Sequence, residues 1–305
     1  MHKLTSLSAA AALAVTVAYA AGTDSKAPQW NDVGQALGKS GTMMPGGIYR
    51  VAMPRTDLHV MLDGVALKPG FALGSWVAFQ PMGQDAMVMG DLVLTETEIA
   101  PVMTKLQQDG LEVTALHNHL LRAQPATFYL HVMGHGPAAK LATSLHEAIA
   151  LSKTPLGDNP VPQTAEPKID LDTAMIDQIL GAKGKDAGGI YQFGIPRGEP
   201  IRDHGMTLPA AMGSAEAINF QPTGNGKAAT TGDFVLIASE VNPVMHALRD
   251  NGIEVTALHN HMLDEQPRVF FMHFWGNDDA AKLAHGLKAA LDKVHLAKPQ
   301  DVANK

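Results

Sequence analysis

The stretch Val113-Thr114-Ala115-Leu116-His117-Asn118-His119-Leu120 returns almost unchanged as Val255-Thr256-Ala257-Leu258-His259-Asn260-His261-Met262, 142 positions further on. The match extends in both directions at the same offset. Ile48-Tyr49 and Pro54-Arg55 recur as Ile190-Tyr191 and Pro196-Arg197, Gly90-Asp91 as Gly232-Asp233, and Gln124-Pro125 as Gln266-Pro267. His131, Gly134 and Lys140-Leu141 recur as His273, Gly276 and Lys282-Leu283. The chain is therefore two copies of one unit of about 125 residues, a period far longer than the roughly 20–50 residues of solenoid repeats. With 305 residues in all, each copy is long enough to bury its own core.

Period and punctuation give the order of elements within a copy. Val33 to Leu37 before Gly38, and Met175 to Leu180 before Gly181, read as short helices stopped by glycine. Ile48 to Met53 and Ile190 to Ile195 read as strands ended by Pro-Arg. The segments Thr56 to Gly74 and Gly198 to Gly213 match poorly and are rich in turn formers. Next come an apolar strand at Asp233 to Ile237 and a helix with Ser239 as its N-cap and Pro243 in its first turn. A long strand from Ile253 to Leu263, a turn at Gln266-Pro267, a strand from Val269 to Trp275 and a helix from about Asp278 to Val294 complete the unit. This β-α-β-β-α order predicts an α+β fold of two tandem homologous domains. Each is an antiparallel sheet with helices on one side, ferredoxin-like in part.

The predicted boundaries are a first repeat over 28–153, a proline-rich linker over 154–167, a second repeat over 168–296 and a tail over 297–305. Residues 1–20 carry one lysine, an apolar run from about Leu4 to Val17 and Ala18-Tyr19-Ala20, the pattern of a secretory signal cleaved near Ala20. The mature chain is accordingly expected in the periplasm or outside the cell, with no transmembrane anchor. There is no cysteine, which removes disulfides, thiolate metal ligands and a lipid-modified N-terminus together. A formal net charge of −7 argues against nucleic acid as a partner.

The histidines carry the chemistry. On a strand, residues i and i+2 share a face, so His117 projects with His119, and His259 with His261. A hairpin symmetric about Gln124 sets His131 opposite His117, and one about Gln266 sets His273 opposite His259. His117, His119 and His131, and likewise His259, His261 and His273, then form three-nitrogen sites with a fourth position open, suited to zinc or another transition metal. A single site shared across the pseudo-twofold is the related arrangement. A register slip of one residue would send the third histidine to the other face. Acid–base use without metal, or a purely structural role, are the competing readings of the same residues.

Arg55 and Arg197, each ending a strand after proline, with Tyr49 and Tyr191, are candidate contacts for a small molecule, an anion or an envelope glycan or peptide. Asp91 and Asp233, after glycine, read as turn residues rather than site residues. No nucleophile elbow, phosphate loop or dinucleotide fingerprint is visible. Metal-assisted hydrolysis is a further possibility, but the histidine face shows no general base in the sequence.

The doubled Thr-Ala-Leu-His-Asn-His signature, the Phe128-Tyr129-Leu130-His131 and Phe270-Phe271-Met272-His273 segments, and the Ala-Ala-Lys-Leu-Ala helix at 138–142 and 280–284 resemble the LppY/LpqO family of secreted bacterial proteins. The resemblance covers nearly the whole mature chain. It implies an exported protein with a duplicated domain, and it supplies neither a reaction nor catalytic residues. Lipid anchoring, found in the members that name the family, needs a cysteine this chain lacks.

Overall fold

The computed structural model describes residues 28–158 and 169–298. The proposed signal, most of the linker and most of the tail lie outside them. The first repeat runs α1 (Trp30–Leu37), β1 (Thr42–Met44), β2 (Ile48–Pro54), β3 (Met61–Leu62), β4 (Val65–Ala66), α2 (Pro69–Ala72), β5 (Gly74–Met82), β6 (Asp85–Leu94), α3 (Glu96–Gln108), β7 (Glu112–His117), β8 (Phe128–Gly136) and α4 (Ala138–Ile149). The second runs α5 (Thr173–Leu180), β9 (Lys185–Asp186), β10 (Tyr191–Pro196), β11 (Arg202–Asp203), β12 (Met206–Thr207), β13 (Ala215–Gly224), β14 (Lys227–Ile237), α6 (Ala238–Asp250), β15 (Glu254–His259), β16 (Val269–Asp279) and α7 (Ala280–Leu291). Each repeat has one six-stranded sheet, ordered β1-β2-β5-β6-β8-β7 and β15-β16-β14-β13-β10-β9, with antiparallel neighbours throughout. The predicted α+β class, its duplication and its β-α-β-β-α half are present.

Alternation along β6 and β8 assigns the two faces of the first sheet. Val88, Leu92, Leu94, Leu130 and Val132 pack under Val33, Leu37, Val102, Leu106 and Leu145 of the helices. The residues between them, Met87, Met89, Val93, Tyr129 and Met133, belong to clusters that also hold side chains of the second repeat. The two sheets therefore turn their helix-free faces toward one another, and the helices form the outside layers. A sheet buried on both faces explains why β6 is apolar at nearly every position.

The poorly matched segments turn out to be arms. In the first, β3, β4 and α2 lay Val60, Leu62, Val65, Leu67 and Phe71 against Ile190, Ala229 and Trp275 of the second repeat. In the second, Ile201, Leu208 and Met212 pack with Ile48, Met87, Met89 and Met133 of the first. Hydrogen bonds fix the exchange: Gln221 accepts from the Lys68 amide at 2.8 Å and donates to the Ala66 carbonyl at 2.8 Å, while Gln80 donates to the Thr207 carbonyl at 3.1 Å. Each arm meets a different partner surface.

Two details differ from the sequence reading. The helix after β14 begins at Ala238, which makes Ser239 its second residue and Pro243 its sixth; its first turn is closed instead by the Glu240 carboxylate, which accepts from the Ile237 amide at 2.9 Å. The strands β7 and β15 end at His117 and His259, so His119 and His261 stand just beyond them. Gly38 and Gly181 do stop their helices, with φ of 77° and 69°, a conformation that favours glycine.

Candidate metal centre

The hairpin register places the third histidine. In β7 and β8 the Cα partners are His117 with Tyr129 and Ala115 with His131; in β15 and β16 they are His259 with Phe271 and Ala257 with His273. His131 is thus two residues from its expected opposite, not one, and an even shift preserves the face. A bulge lies between Val113 and Ala115, and another between Val255 and Ala257. The extra residue is a threonine each time. Freed from the ladder, Thr114 Oγ1 donates to the His261 carbonyl and Thr256 Oγ1 to the His119 carbonyl, both at 2.5 Å, tying each histidine turn to the opposite repeat. Asn260 donates to the carbonyls of Thr114 at 3.0 Å and Met262 at 2.9 Å.

The two histidine faces meet in one place. Ring centroids are 3.4 Å apart for His117 and His259, 3.5 Å for His119 and His273, and 3.8 Å for His131 and His261. Each pair takes one member from each repeat. The outer rings are backed by aromatic side chains, His119 on Tyr129 and His261 on Phe271, both at 3.3 Å. Four sets have donor atoms that all lie within 4.8 Å of one another: His117, His119, His259 and His273; His131, His259 and His261; Asp91, His119 and His131; and Asp233, His261 and His273. The trio His117, His119 and His131 by itself is not among them. Its nitrogens are completed from across the pseudo-twofold or by an aspartate, because Tyr129, not His131, faces His117.

Asp91 and Asp233 are the site residues that sequence reasoning missed. They lie inside β6 and β14, not in a turn, with Cα directly opposite His131 and His273. His119 Nε2 is 3.9 Å from Asp91 Oδ2, His261 Nε2 is 3.6 Å from Asp233 Oδ2, and His273 Nε2 is 3.8 Å from Asp233 Oδ1. These separations match the roughly 3–4 Å between ligand atoms around an ion held by bonds of about 2.0–2.1 Å. The signal was available: an acid kept in both copies within an otherwise apolar run.

The glycine before each aspartate has its own role. A Cβ on Gly232 would stand 1.9 Å from the Ala217 carbonyl oxygen, and one on Gly90 2.7 Å from Val77. The freed carbonyls are used: His273 Nδ1 lies 2.8 Å from Gly232 O, and His131 is bonded likewise to Gly90. A carbonyl only accepts, so Nδ1 carries the proton and Nε2 presents a bare lone pair to the centre. Gly232→Ala is expected to cost roughly 1–3 kcal/mol, as overpacking does; an unchanged midpoint of thermal unfolding would contradict the close approach.

Burial sets the protonation states. It pushes His117 down to about 3, helped by the neighbouring His259, and His259 down to about 4. His119, His131, His261 and His273 are held well below the ordinary imidazole value, by burial first and by one another second. Burial drives Asp91 up to about 8 against the pull of Arg50, and it drives Asp233 well above the carboxylate range, with Asp91 adding to the effect. All six imidazoles are thus neutral at neutral pH, the form that binds metal.

Arg55 and Arg197 serve a different end. Each guanidinium is buried and bonded, Arg55 to Glu98, Asp57 and the Val93 carbonyl, and Arg197 to Glu240, Glu199 and the Val235 carbonyl. They are not free to hold an external anion. Tyr49 stacks on Trp30 at 5.5 Å and accepts from the Gly41 amide, while Tyr191 donates to Asp177 at 2.7 Å. Tyr49 also lines a surface cavity of about 640 Å³ with Trp30, Ser40 and Asp158, in which none of the six histidines takes part. Among the described residues no helix is long and apolar enough to cross a membrane.

Comparison with known proteins agrees on the duplication. No curated protein matches the chain. Two solved structures show only a faint likeness. A trimeric bacterial microcompartment shell protein, PduB, has 10% identity and a TM-score of 0.21 over 84% of this chain and 90% of its own, and EtuB from Clostridium kluyveri has 10% identity and a TM-score of 0.20 over 83% and 88%. A family model described as a domain of unknown function, DUF1259, matches twice, over residues 31–151 and 174–293, which are the two repeats found above. The chain therefore belongs to that family and carries two copies of its domain.

Proposed function

We propose that this is an exported protein of the LppY/LpqO type that binds transition metal, most simply zinc, in a centre built jointly by its two repeats. One observation carries the reading. His117 Nδ1 and Nε2, the Nε2 atoms of His119, His131, His259, His261 and His273, and Oδ1 of Asp91 and Asp233 are all buried with no hydrogen-bond partner in the protein. A buried polar atom left unsatisfied costs about 1–3 kcal/mol. Nine of them together cost on the order of 10 kcal/mol or more, comparable to the net stability of a whole domain. Core packing alone gives no return for that cost. A metal ion does, because eight of the nine can present a lone pair, a neutral His117 keeping its proton on one of its two nitrogens. Imidazole and carboxylate donors without thiolate suit zinc, iron or manganese better than Cu(I).

The direct test is metal analysis of mature protein purified without chelator, wild type beside His117→Ala/His119→Ala. Bound metal in the wild type, reduced in the variant, is the expected result; no metal in either at neutral pH would sink the reading. Export is tested separately, by the N-terminal residue of protein recovered from the periplasm, expected at Ala21.

Metal-assisted hydrolysis is the second reading. It gains from Asp91 and Asp233, which set a carboxyl on the histidine face where a metal-activated water would lie. Chelator-sensitive activity on a panel of esters, phosphates and amides would favour it. A module that binds an envelope ligand through Arg55 and Arg197 gains nothing comparable, since both guanidiniums are already bonded within the protein.

A further inference from the structure

We infer that the centre takes two metal ions, one bound by Asp91, His119 and His131 and the other by Asp233, His261 and His273, with His117 and His259 standing between them as the remaining donors. The inference rests on the metal reading above and goes beyond it in number and assignment.

Two observations lead there. The first is valence. A tetrahedral ion takes four donors. A neutral His117 keeps a proton on one of its two nitrogens, so the nine orphaned atoms offer eight lone pairs; one such ion takes four of them, whereas two ions take all eight. The second is symmetry. The two aspartate-containing sets are the same three positions of the repeat, and each comes wholly from one repeat. Their donors are posed alike: an aspartate on the central strand, a histidine directly opposite it whose Nδ1 is fixed by the preceding glycine carbonyl, and a histidine from the turn after the hairpin strand. A single ion on the pseudo-twofold would use His117 and His259 and leave both aspartates without a partner. Two ions place a cation beside each carboxyl.

The donor set also bounds the chemistry. Two imidazoles and one carboxylate leave each ion room for a fourth ligand, from His117 or His259 or from solvent. His117 supplies two orphaned nitrogens, Nδ1 and Nε2, while His259 supplies only Nε2, because its Nδ1 lies 3.0 Å from the Asn260 carbonyl. The two positions are thus related by the fold but not equal. The ion that takes His117 has the more adaptable fourth donor.

The experiment is a titration of metal-free, full-length mature protein with Co(II), read by its visible d–d absorption and by native mass spectrometry. Two equivalents per chain are expected. Saturation at one equivalent overturns the two-ion inference and leaves a single shared centre standing; no uptake overturns both readings. Because the unmodified chain decides this, misfolding of a variant cannot blur the result. A second arm assigns the ions. Asp91→Ala/His131→Ala is expected to retain one equivalent, and so is Asp233→Ala/His273→Ala, each checked for native circular dichroism. Loss of both ions from either variant, with the fold intact, would show one indivisible cluster and overturn the assignment to separate triads.

Discussion

Zinc added to metal-free mature protein is expected to raise its unfolding midpoint by about 5–10 °C for each site filled. An ion present at a hundred times its Kd stabilises by about 2.7 kcal/mol per site, and a chain of this size gains roughly 2–4 °C per kcal/mol. The sign follows from the orphaned atoms, which lower the stability of the metal-free protein and are satisfied only when an ion is bound. Removal of orphaned atoms should act on the metal-free protein in the opposite direction. His119→Leu/His273→Leu removes two stacked imidazoles, 3.5 Å apart, and with them two orphaned Nε2 atoms, while giving up the His273 bond to the Gly232 carbonyl. Each orphaned buried atom costs about 1–3 kcal/mol, and two are removed for one created. This variant should be at least as stable as the wild type without metal, and it should have lost most of its response to zinc. Calorimetry of both proteins with zinc and with chelator separates the outcomes. A wild type indifferent to zinc, or a double variant far less stable than the metal-free wild type, would show that the imidazoles are held for packing.

Arg55→Ala should cost about 3–5 kcal/mol, the usual penalty for removing one partner of a buried ion pair. The Arg55 side chain is 0% exposed and its Nη1 donates to Glu98 Oε2 and to the Val93 carbonyl, at 2.8 and 2.7 Å. Glu98 in turn accepts from the amides of Thr95 and Lys153, each at 2.8 Å. One carboxylate thereby joins the end of the central strand, the start of α3 and the segment that leaves α4. Lysine cannot replace the two-pronged arginine contact, so Arg55→Lys should recover little.

The pH dependence gives an independent readout. Burial pushes the Glu98 carboxyl up, but the hydrogen bonds from Arg55, Thr95 and Lys153 outweigh it and hold the group below its ordinary value. A carboxylate with a depressed folded-state value contributes stability above its unfolded value, and that contribution is lost as pH falls through the folded one. Wild-type stability should therefore drop in acid, and the drop should shrink in Arg55→Ala. Parallel curves for the two proteins would mean that Arg55 does not govern this group. Arg197 with Glu240 repeats the arrangement in the second copy, and loss of either arginine should have similar effect.

Much of the centre was legible because strand parity is a local property. His131 was expected opposite His117 and is opposite Ala115, yet it keeps the face, since the error was even. Parity failed to reveal Asp91. A glycine followed by an aspartate has the letters of a turn, and only the ladder, with Gly90 pressed against Trp76 and Val77, shows why glycine is needed inside a strand. Arg55 was misread for a related reason. An arginine after proline at a strand end has no visible partner in sequence, and its partner Glu98 lies 43 residues away on a helix start.

The sequence by itself determined the duplication, the α+β order of each repeat and the sharing of a face by the histidines of each hairpin. These follow from side-chain period and from turn chemistry, which act over a few residues. Tertiary structure decided that the two histidine faces meet, that His117 pairs with His259 rather than with His131, and that a buried and a partly buried aspartate complete the set. Nothing local encodes those contacts. They arise because each sheet is apolar on both faces and can bury the second only against its twin, which brings matching residues to the same pseudo-twofold axis.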